Sequence, residues 1–226
     1  MTKQLEITLT TLCDSYNNQP IIKNLIQLIN VYGIPVGSLI DTTLEKYVSN
    51  LKANRLKIFF DELNTGEVEL TNDIIEQNDF LSAYFSTVNY IIRTRSDEKI
   101  KCFARILKKL SSGNIDSDEF EDFTSIFNEL TVREFSILVI KYQFEQENEK
   151  NTKNLNPAQL TESYWNDFKN AVSLKIGLPE KELDPMLVRL QRTGCYNKHK
   201  GYWEDFPNEQ GDTTELFKRI YELIVK

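Results

Sequence analysis

Helical spacing of apolar residues is the feature that most constrains the fold of this chain. Between residues 39 and 63, apolar side chains recur three or four positions apart, and the same spacing returns at 4–16 and 73–94. Such spacing places the apolar side chains on one face of an α-helix. Only eight glycines and six prolines occur in 226 residues, too few for the many turns of an all-β fold. The sequence therefore predicts a mainly α protein.

Composition and charge indicate an ordinary globular protein. Hydrophobic residues make up 40% of the chain and charged residues 27%, which is enough to build a core without metal or disulfides. The net charge of -7 argues against a surface devoted wholly to nucleic acid, because phosphate binding needs clustered cations. Cys13, Cys102 and Cys195 lie far apart and lack C-x-x-C spacing, as reduced thiols do. With no signal-peptide pattern, these features predict a cytoplasmic protein.

Residues 24–40 contain no charged side chain and raise the question of a membrane segment. Polar residues recur here at Asn24, Gln27 and Asn30, and the glycines and proline of 33–37 interrupt the run. A spanning helix needs about 20 predominantly apolar residues. The segment therefore favours a buried helical hairpin that turns at 33–37, and a membrane-acting role for it is kept as an alternative.

Two capping boxes mark helix starts in the middle of the chain. Asp116 with Glu119, and Thr131 with Glu134, have the spacing in which each side chain accepts a hydrogen bond from the other residue's backbone. The second helix is expected to run to about residue 144. Beyond it, residues 145–156 are polar with one leucine, as in a linker. We expect a bundle-like helical domain at 1–148, a linker at 149–156 and a second domain at 157–226.

The last 70 residues predict a helix, a turn, further helix, a hairpin and a closing helix. After a first helix, a short helix is expected from residue 179, followed by a second in which Asp184 caps and Pro185 occupies the first turn. A β-hairpin is expected at 195–206. Asp212 and Glu215 have capping-box spacing at the start of the last helix.

Two resemblances accompany these patterns. The run LVRLQRTGCY at 187–196, then a hairpin, then TTELFKRIYELI at 213–224, resembles the end of bacterial winged-helix domains. The runs RTRSDEKIKCFARIL at 93–107 and FEDFTSIFNELTVREFSILVI at 120–140 resemble helical segments in bacterial proteins of the Abi-alpha type. In that family a helical body precedes a small winged-helix-like end. The resemblance implies this architecture and, through the association with abortive infection, a role in phage defence; it carries over no catalytic residues.

The most specific candidate site is basic. Arg189 and Arg192 fall on a predicted helix, and Lys198, His199 and Lys200 on the predicted wing. In a winged helix these two elements lie near each other and face DNA. However, the segment from residue 157 onward holds ten basic and eleven acidic side chains, whereas a dedicated DNA-binding domain is normally basic. Solvated residues on a packing module are therefore the favoured interpretation, with nucleic-acid binding as the alternative.

A second basic run contains Arg93, Arg95 and Lys99. These residues are candidates for binding an anion, although a run of charges more often forms a solvated face.

The sequence offers little support for a catalytic or cofactor-binding motif. His199 is the only histidine, and its pairing with Cys195 has no third residue to orient it. Phosphate-loop, dinucleotide, nucleophile-elbow and zinc-protease motifs do not occur. The acids at 116–122 fit a helix start without the spacing of a calcium loop.

We therefore expect no enzymatic activity, no cofactor and no metal. The leading hypothesis is a bacterial interaction protein that binds a protein partner or a second copy of itself, with a DNA-binding regulator and a membrane-acting effector as alternatives.

Overall fold

A computed structural model describes residues 3–32, 42–66, 70–151, 155–199 and 209–225. These residues form eleven helices and one two-stranded antiparallel hairpin, which confirms the prediction of a mainly α protein with a short hairpin. The elements are α1 (Lys3–Asp14), α2 (Pro20–Tyr32), α3 (Thr42–Leu63), α4 (Asn72–Ile75), α5 (Asn78–Ile91), α6 (Asp97–Ser111), α7 (Ser117–Glu129), α8 (Val132–Asn151), α9 (Pro157–Ile176), α10 (Glu180–Arg192), β1 (Tyr196–Lys198), β2 (Gly211–Thr213) and α11 (Glu215–Val225).

Two compact units divide the chain, Met1–Ser125 and Ile126–Lys226, and the division falls within α7. The predicted linker at 149–156 instead lies inside the second unit, where α8 and α9 pack together on either side of it. Its first residues belong to α8, which continues to Asn151. The predicted end of α8 near residue 144 is therefore wrong. The polar residues after it do not all face solvent, since Glu145 is buried in this unit.

Helix α3 is the centre of the first unit and packs against both α1 and α6. Its aromatic side chains Phe59 and Phe60 are fully buried, as is Tyr84 of α5. The Tyr84 hydroxyl donates a hydrogen bond to the Leu25 carbonyl oxygen at 2.7 Å, which satisfies the polar end of an otherwise apolar ring. Burial raises the pKa of Tyr84 well above its ordinary value.

The predicted helix over 73–94 is two helices in the structure. Thr71 caps the single turn of α4 by accepting a hydrogen bond from the Ile74 amide. Gln77 then takes an extended backbone conformation, with ψ at 134°, and α5 begins at the next residue. The apolar spacing continues through this break, so the pattern alone could not reveal it.

Both capping boxes predicted in the middle of the chain are confirmed. The Glu119 amide donates to the Asp116 carboxylate at 2.8 Å, and the Asp116 amide donates to Glu119 at 3.3 Å. The same reciprocal pair joins Thr131 and Glu134, at 3.2 and 2.7 Å. Helices α7 and α8 therefore begin where local side-chain chemistry requires.

Helix α10 is continuous, so the two separate helices expected here are wrong. Asp184 lies inside it rather than capping a second helix, and Pro185 is also internal. A proline inside a helix removes one backbone hydrogen bond, and its ring crowds the carbonyl group four residues earlier. The buried row of Leu183, Leu187 and Leu190 continues through it on one face and offsets that loss.

The hairpin pairs β1 with β2, and Tyr196 lies opposite Thr213. The second strand is therefore later in the chain than the 195–206 hairpin expected, and residues 200–208 lie outside the described residues. Gly211 permits this pairing, because a Cβ atom at this position would lie 2.0 Å from the Asn197 carbonyl oxygen.

The closing helix α11 begins with a different cap from the one expected. Thr214 accepts a hydrogen bond from the Phe217 amide at 3.3 Å. Asp212 is part of β2, and its carboxylate turns toward the interior of the unit.

Candidate functional site

A fully buried lysine lies at the centre of the second unit. The ammonium group of Lys141 on α8 donates to Glu145 Oε1 at 2.8 Å, to Tyr164 Oη at 2.7 Å and to Asp212 Oδ1 at 3.1 Å. An ammonium group has three protons to donate, so its hydrogen-bonding capacity is filled. One side chain thereby joins α8, α9 and β2.

Glu145 lies one helical turn after Lys141 and binds the hairpin directly. Its Oε1 atom accepts a hydrogen bond from the Thr213 amide at 2.8 Å, and its Oε2 atom accepts one from the Thr213 hydroxyl. Both carboxylate oxygens are thus used, one of them twice. The backbone of β2 is held to α8 by a charged acceptor, which makes stronger hydrogen bonds than a neutral one.

Asp212 extends the network to α9 and to the end of β1. Its Oδ1 atom accepts a hydrogen bond from the Thr161 hydroxyl at 2.6 Å, and its Oδ2 atom lies 3.3 Å from His199 Nε2. Thr161 and Tyr164 are themselves in hydrogen-bonding contact, at 3.2 Å between their hydroxyl oxygens. We call Lys141, Glu145, Thr161, Tyr164, His199, Asp212 and Thr213 the lysine network.

Charge pairing in the lysine network outweighs the cost of burial. Burial acts to lower the pKa of Lys141, but the negative charges of Glu145 and Asp212 raise it above its ordinary value. Burial acts to raise the pKa of Asp212, but His199, Lys141 and Thr161 hold it well below its ordinary value. Both groups are therefore charged at neutral pH, and each stabilises the other.

A pocket of about 400 Å³ opens beside the lysine network. Its walls include Glu145, Tyr164 and Asp212, together with the apolar side chains of Leu155 and Leu160. Glu145, Tyr164 and Asp212 already hydrogen-bond within the fold. The arrangement therefore acts as a brace between helices and hairpin, with a small cleft on one side.

Of the two basic residues predicted on α10, Arg189 forms an ion pair and Arg192 is exposed to solvent. Arg189 Nε lies 2.9 Å from Glu134 Oε1, whose side chain is almost fully buried. Arg192 is exposed near the end of the same helix. Only one of these two arginines therefore presents its charge mainly to solvent.

The basic residues predicted on the wing are also engaged with acids. Lys198 Nζ lies 2.8 Å from Glu209 Oε1, and His199 faces Asp212. Lys200 lies outside the described residues. Two of the three wing candidates thus contribute to packing of the hairpin.

Cys195 and His199 do not form an activated pair. The Cys195 side chain is fully buried, and its thiol lies 3.8 Å from the Thr193 carbonyl oxygen. Burial raises the pKa of this thiol, which favours the weakly nucleophilic protonated form. His199, on its side, is directed at Asp212 in the lysine network.

The candidate anion-binding residues gain neighbours that their spacing does not reveal. Arg93 and Arg95 are exposed and Lys99 is half-buried. Arg55 of α3 donates a hydrogen bond to the carbonyl oxygen of Ile92, directly before Arg93. A cation from a distant part of the sequence therefore joins this group.

The described part of the chain also bears on possible metal and membrane sites. There, no group of three or more histidine, cysteine or acidic side chains is arranged to hold a metal ion. None of the described helices is both long and apolar enough to cross a membrane. The uncharged segment 24–40 contributes its first half to α2, and residues 33–40 lie outside the described residues.

Comparison with protein-family models, curated proteins and solved structures gives no match to the chain.

Sequence reasoning missed the lysine network. A local signal exists, because Lys141 interrupts the apolar run of α8 and Glu145 follows four residues later, the spacing of a helical ion pair. The other partners, Thr161, Tyr164 and Asp212, come from positions 20 to 71 residues further on. Only the tertiary fold brings them to the ammonium group.

The depressed pKa of Asp212 predicts acid sensitivity of the second unit. Its ordinary value is 3.8 and its folded-state value is lower, so the carboxylate contributes stability above about pH 4 that is lost as the pH falls further. Asp212→Asn should lower stability at neutral pH and flatten the acid dependence. Urea unfolding between pH 7 and pH 3, followed by tryptophan fluorescence, measures both effects.

The exposed acid Asp167 on α9 supplies the control for this prediction. Asp167→Asn should keep the acid dependence of the unchanged protein. Equal acid dependence in the Asp212→Asn variant and the unchanged protein would contradict the assigned role of Asp212.

Proposed function

We propose that the protein is a non-enzymatic interaction protein that binds a protein partner and acts in phage defence. The observation that carries this proposal is the mutual pairing of the ionisable groups around Lys141. Catalytic groups need a vacancy for substrate and a poised protonation state, whereas here the ammonium protons and both Glu145 oxygens are taken by the fold. Such pairing supports a structural role for the interior and leaves function to the surface.

Exposed apolar side chains support a protein partner. Among the described residues, Leu174 on α9 and Val31 on α2 are the most exposed large apolar side chains, at 87% and 86%. Burying such side chains against a partner removes apolar surface from water and favours association. Each unit therefore offers one anchor for a partner protein.

The defence role rests on the Abi-alpha resemblance of residues 93–107 and 120–140. Within this proposal the exposed apolar side chains on the helices of each unit make contacts to the partner, and α10, the hairpin and α11 form a winged-helix-like packing module.

A phage challenge tests the proposal. Deleting the gene from its host should raise the plating efficiency of at least one phage in a panel, and the unchanged gene should restore protection. Leu174→Asp and Val31→Asp should each behave like the deletion if their positions contact the partner, because a charge there opposes burial. Ser173→Asp, at an exposed position on α9, is the matched control and should protect. Equal plating on all strains would contradict the proposal.

A DNA-binding regulator is the second candidate, favoured by the order of elements in the second unit. Helix α10 ends at Arg192, Gly194 follows with a φ of +73°, and β1, β2 and α11 come next. This order is that of a recognition helix, a wing and a closing helix. The exposed Arg192 is available to phosphate, whereas the pairs of Arg189 with Glu134 and of Lys198 with Glu209 weigh against this candidate.

Titration of labelled duplex DNA separates the two candidates. The interaction proposal predicts no change in fluorescence anisotropy at low salt. A regulator predicts salt-sensitive binding that weakens in Arg192→Ala and Lys198→Ala but not in Lys181→Ala, an exposed lysine at the start of α10.

A further inference from the structure

Three cations meet in the first unit. Lys52 and Arg55 are three positions apart on α3, so their side chains lie on the same face of the helix. The guanidinium of Arg55 donates a hydrogen bond to the Ile92 carbonyl oxygen at 2.5 Å, and Arg93 is the next residue. The α3 face is thereby fixed against the end of α5.

The hydrogen bond from Arg55 to Ile92 brings Arg93 next to the face of α3 that carries Lys52 and Arg55. Burial is the largest cause that lowers the pKa of Lys52, and the positive charges of Arg55 and Arg93 lower it further. The like charges are therefore close enough to repel. We call Lys52, Arg55 and Arg93 the cation cluster.

Carboxylates neutralise other cations of this unit but not the two arginines of the cation cluster. Lys57 Nζ lies 2.7 Å from Asp61 Oδ2, and Arg105 Nε lies 2.8 Å from Glu62 Oε1. Within the described residues, Arg55 and Arg93 form no ion pair with a carboxylate. The negative end of the α5 dipole offsets part of the repulsion between the two arginines.

We infer that the cation cluster is a binding site for a phosphate group. A guanidinium presents planar, paired donors that match phosphate oxygens, and an ammonium adds a compact point charge. The bond from Arg55 to Ile92 positions one guanidinium in advance, which lowers the entropy lost on binding. A phosphate dianion would convert the repulsion among three cations into attraction.

The ligand class is a phosphate group, either free or at the end of a nucleotide. The half-buried positions of Lys52 and Arg55 and the exposed position of Arg93 place the charge at the surface of the first unit, where such a ligand has access. This inference does not depend on the proposed protein partner, because a small anion and a protein surface are tested separately.

Thermal unfolding of the full chain tests the inference. Inorganic phosphate and ADP are each titrated against chloride at the same ionic strength, so that a specific site is separated from general screening. Both the unchanged protein and Lys46→Gln, an exposed lysine on the same helix, should show a saturable rise in Tm. Arg93→Gln and Lys52→Gln should lose most of that rise.

The two probes distinguish the sources of the phosphate group. Saturation at a lower concentration of ADP than of inorganic phosphate would support a nucleotide ligand, and equal concentrations would support a free phosphate. An equal rise in Tm in all four proteins would overturn the inference. So would a rise caused by duplex DNA but by neither small anion.

The variants without ligand provide an independent readout. Removing one positive charge relieves repulsion, so Arg93→Gln should unfold at the same temperature as the unchanged protein or higher. A merely structural Arg93 would instead lower the Tm and leave the response to phosphate intact, and that result would overturn the inference.

Discussion

The buried ammonium of Lys141 is the interaction on which the second unit depends. Two strands of three residues each are marginally stable as an isolated hairpin in water. The lysine network holds this hairpin through Glu145 and Asp212, which bind it to α8 and α9. Removing a charge from water costs several kcal/mol per ion, so such a centre is stable only when its partners are complete. The observed geometry meets that condition.

The complete hydrogen bonding of the buried charges in the lysine network contrasts with groups at the protein surface. Lys141 donates to both Glu145 and Asp212, and each carboxylate also accepts a hydrogen bond from a neighbouring threonine hydroxyl, so these groups stabilise the unit. The surface differs from this interior. A partner could bury an exposed apolar side chain such as Leu174, and an anion could pair with the cation cluster around Arg55. We therefore propose protein contact and anion binding at the surface of units whose interior is well paired.

Local chemistry was predictable from the sequence, and long-range chemistry was not. The Asp116 and Thr131 capping boxes use partners three residues away, so spacing alone revealed them. Asp212 has the same spacing to Glu215, yet its carboxylate binds Lys141 and Thr161, which lie far back in the chain. Arg55 likewise reaches Ile92 only in the folded unit. The mainly α class followed from periodicity, whereas the residues of both candidate sites required the tertiary structure.

Urea unfolding of Lys141→Met tests the central claim most directly. Trp165 is buried in the second unit, so its fluorescence reports the unfolding of that unit. Removing the ammonium leaves two carboxylates without their shared partner, and the free energy of unfolding should fall by about 3–5 kcal/mol. Lys181→Met, at an exposed lysine of the same unit, should change it by at most about 0.5 kcal/mol. Equal stability of the two variants would contradict the account.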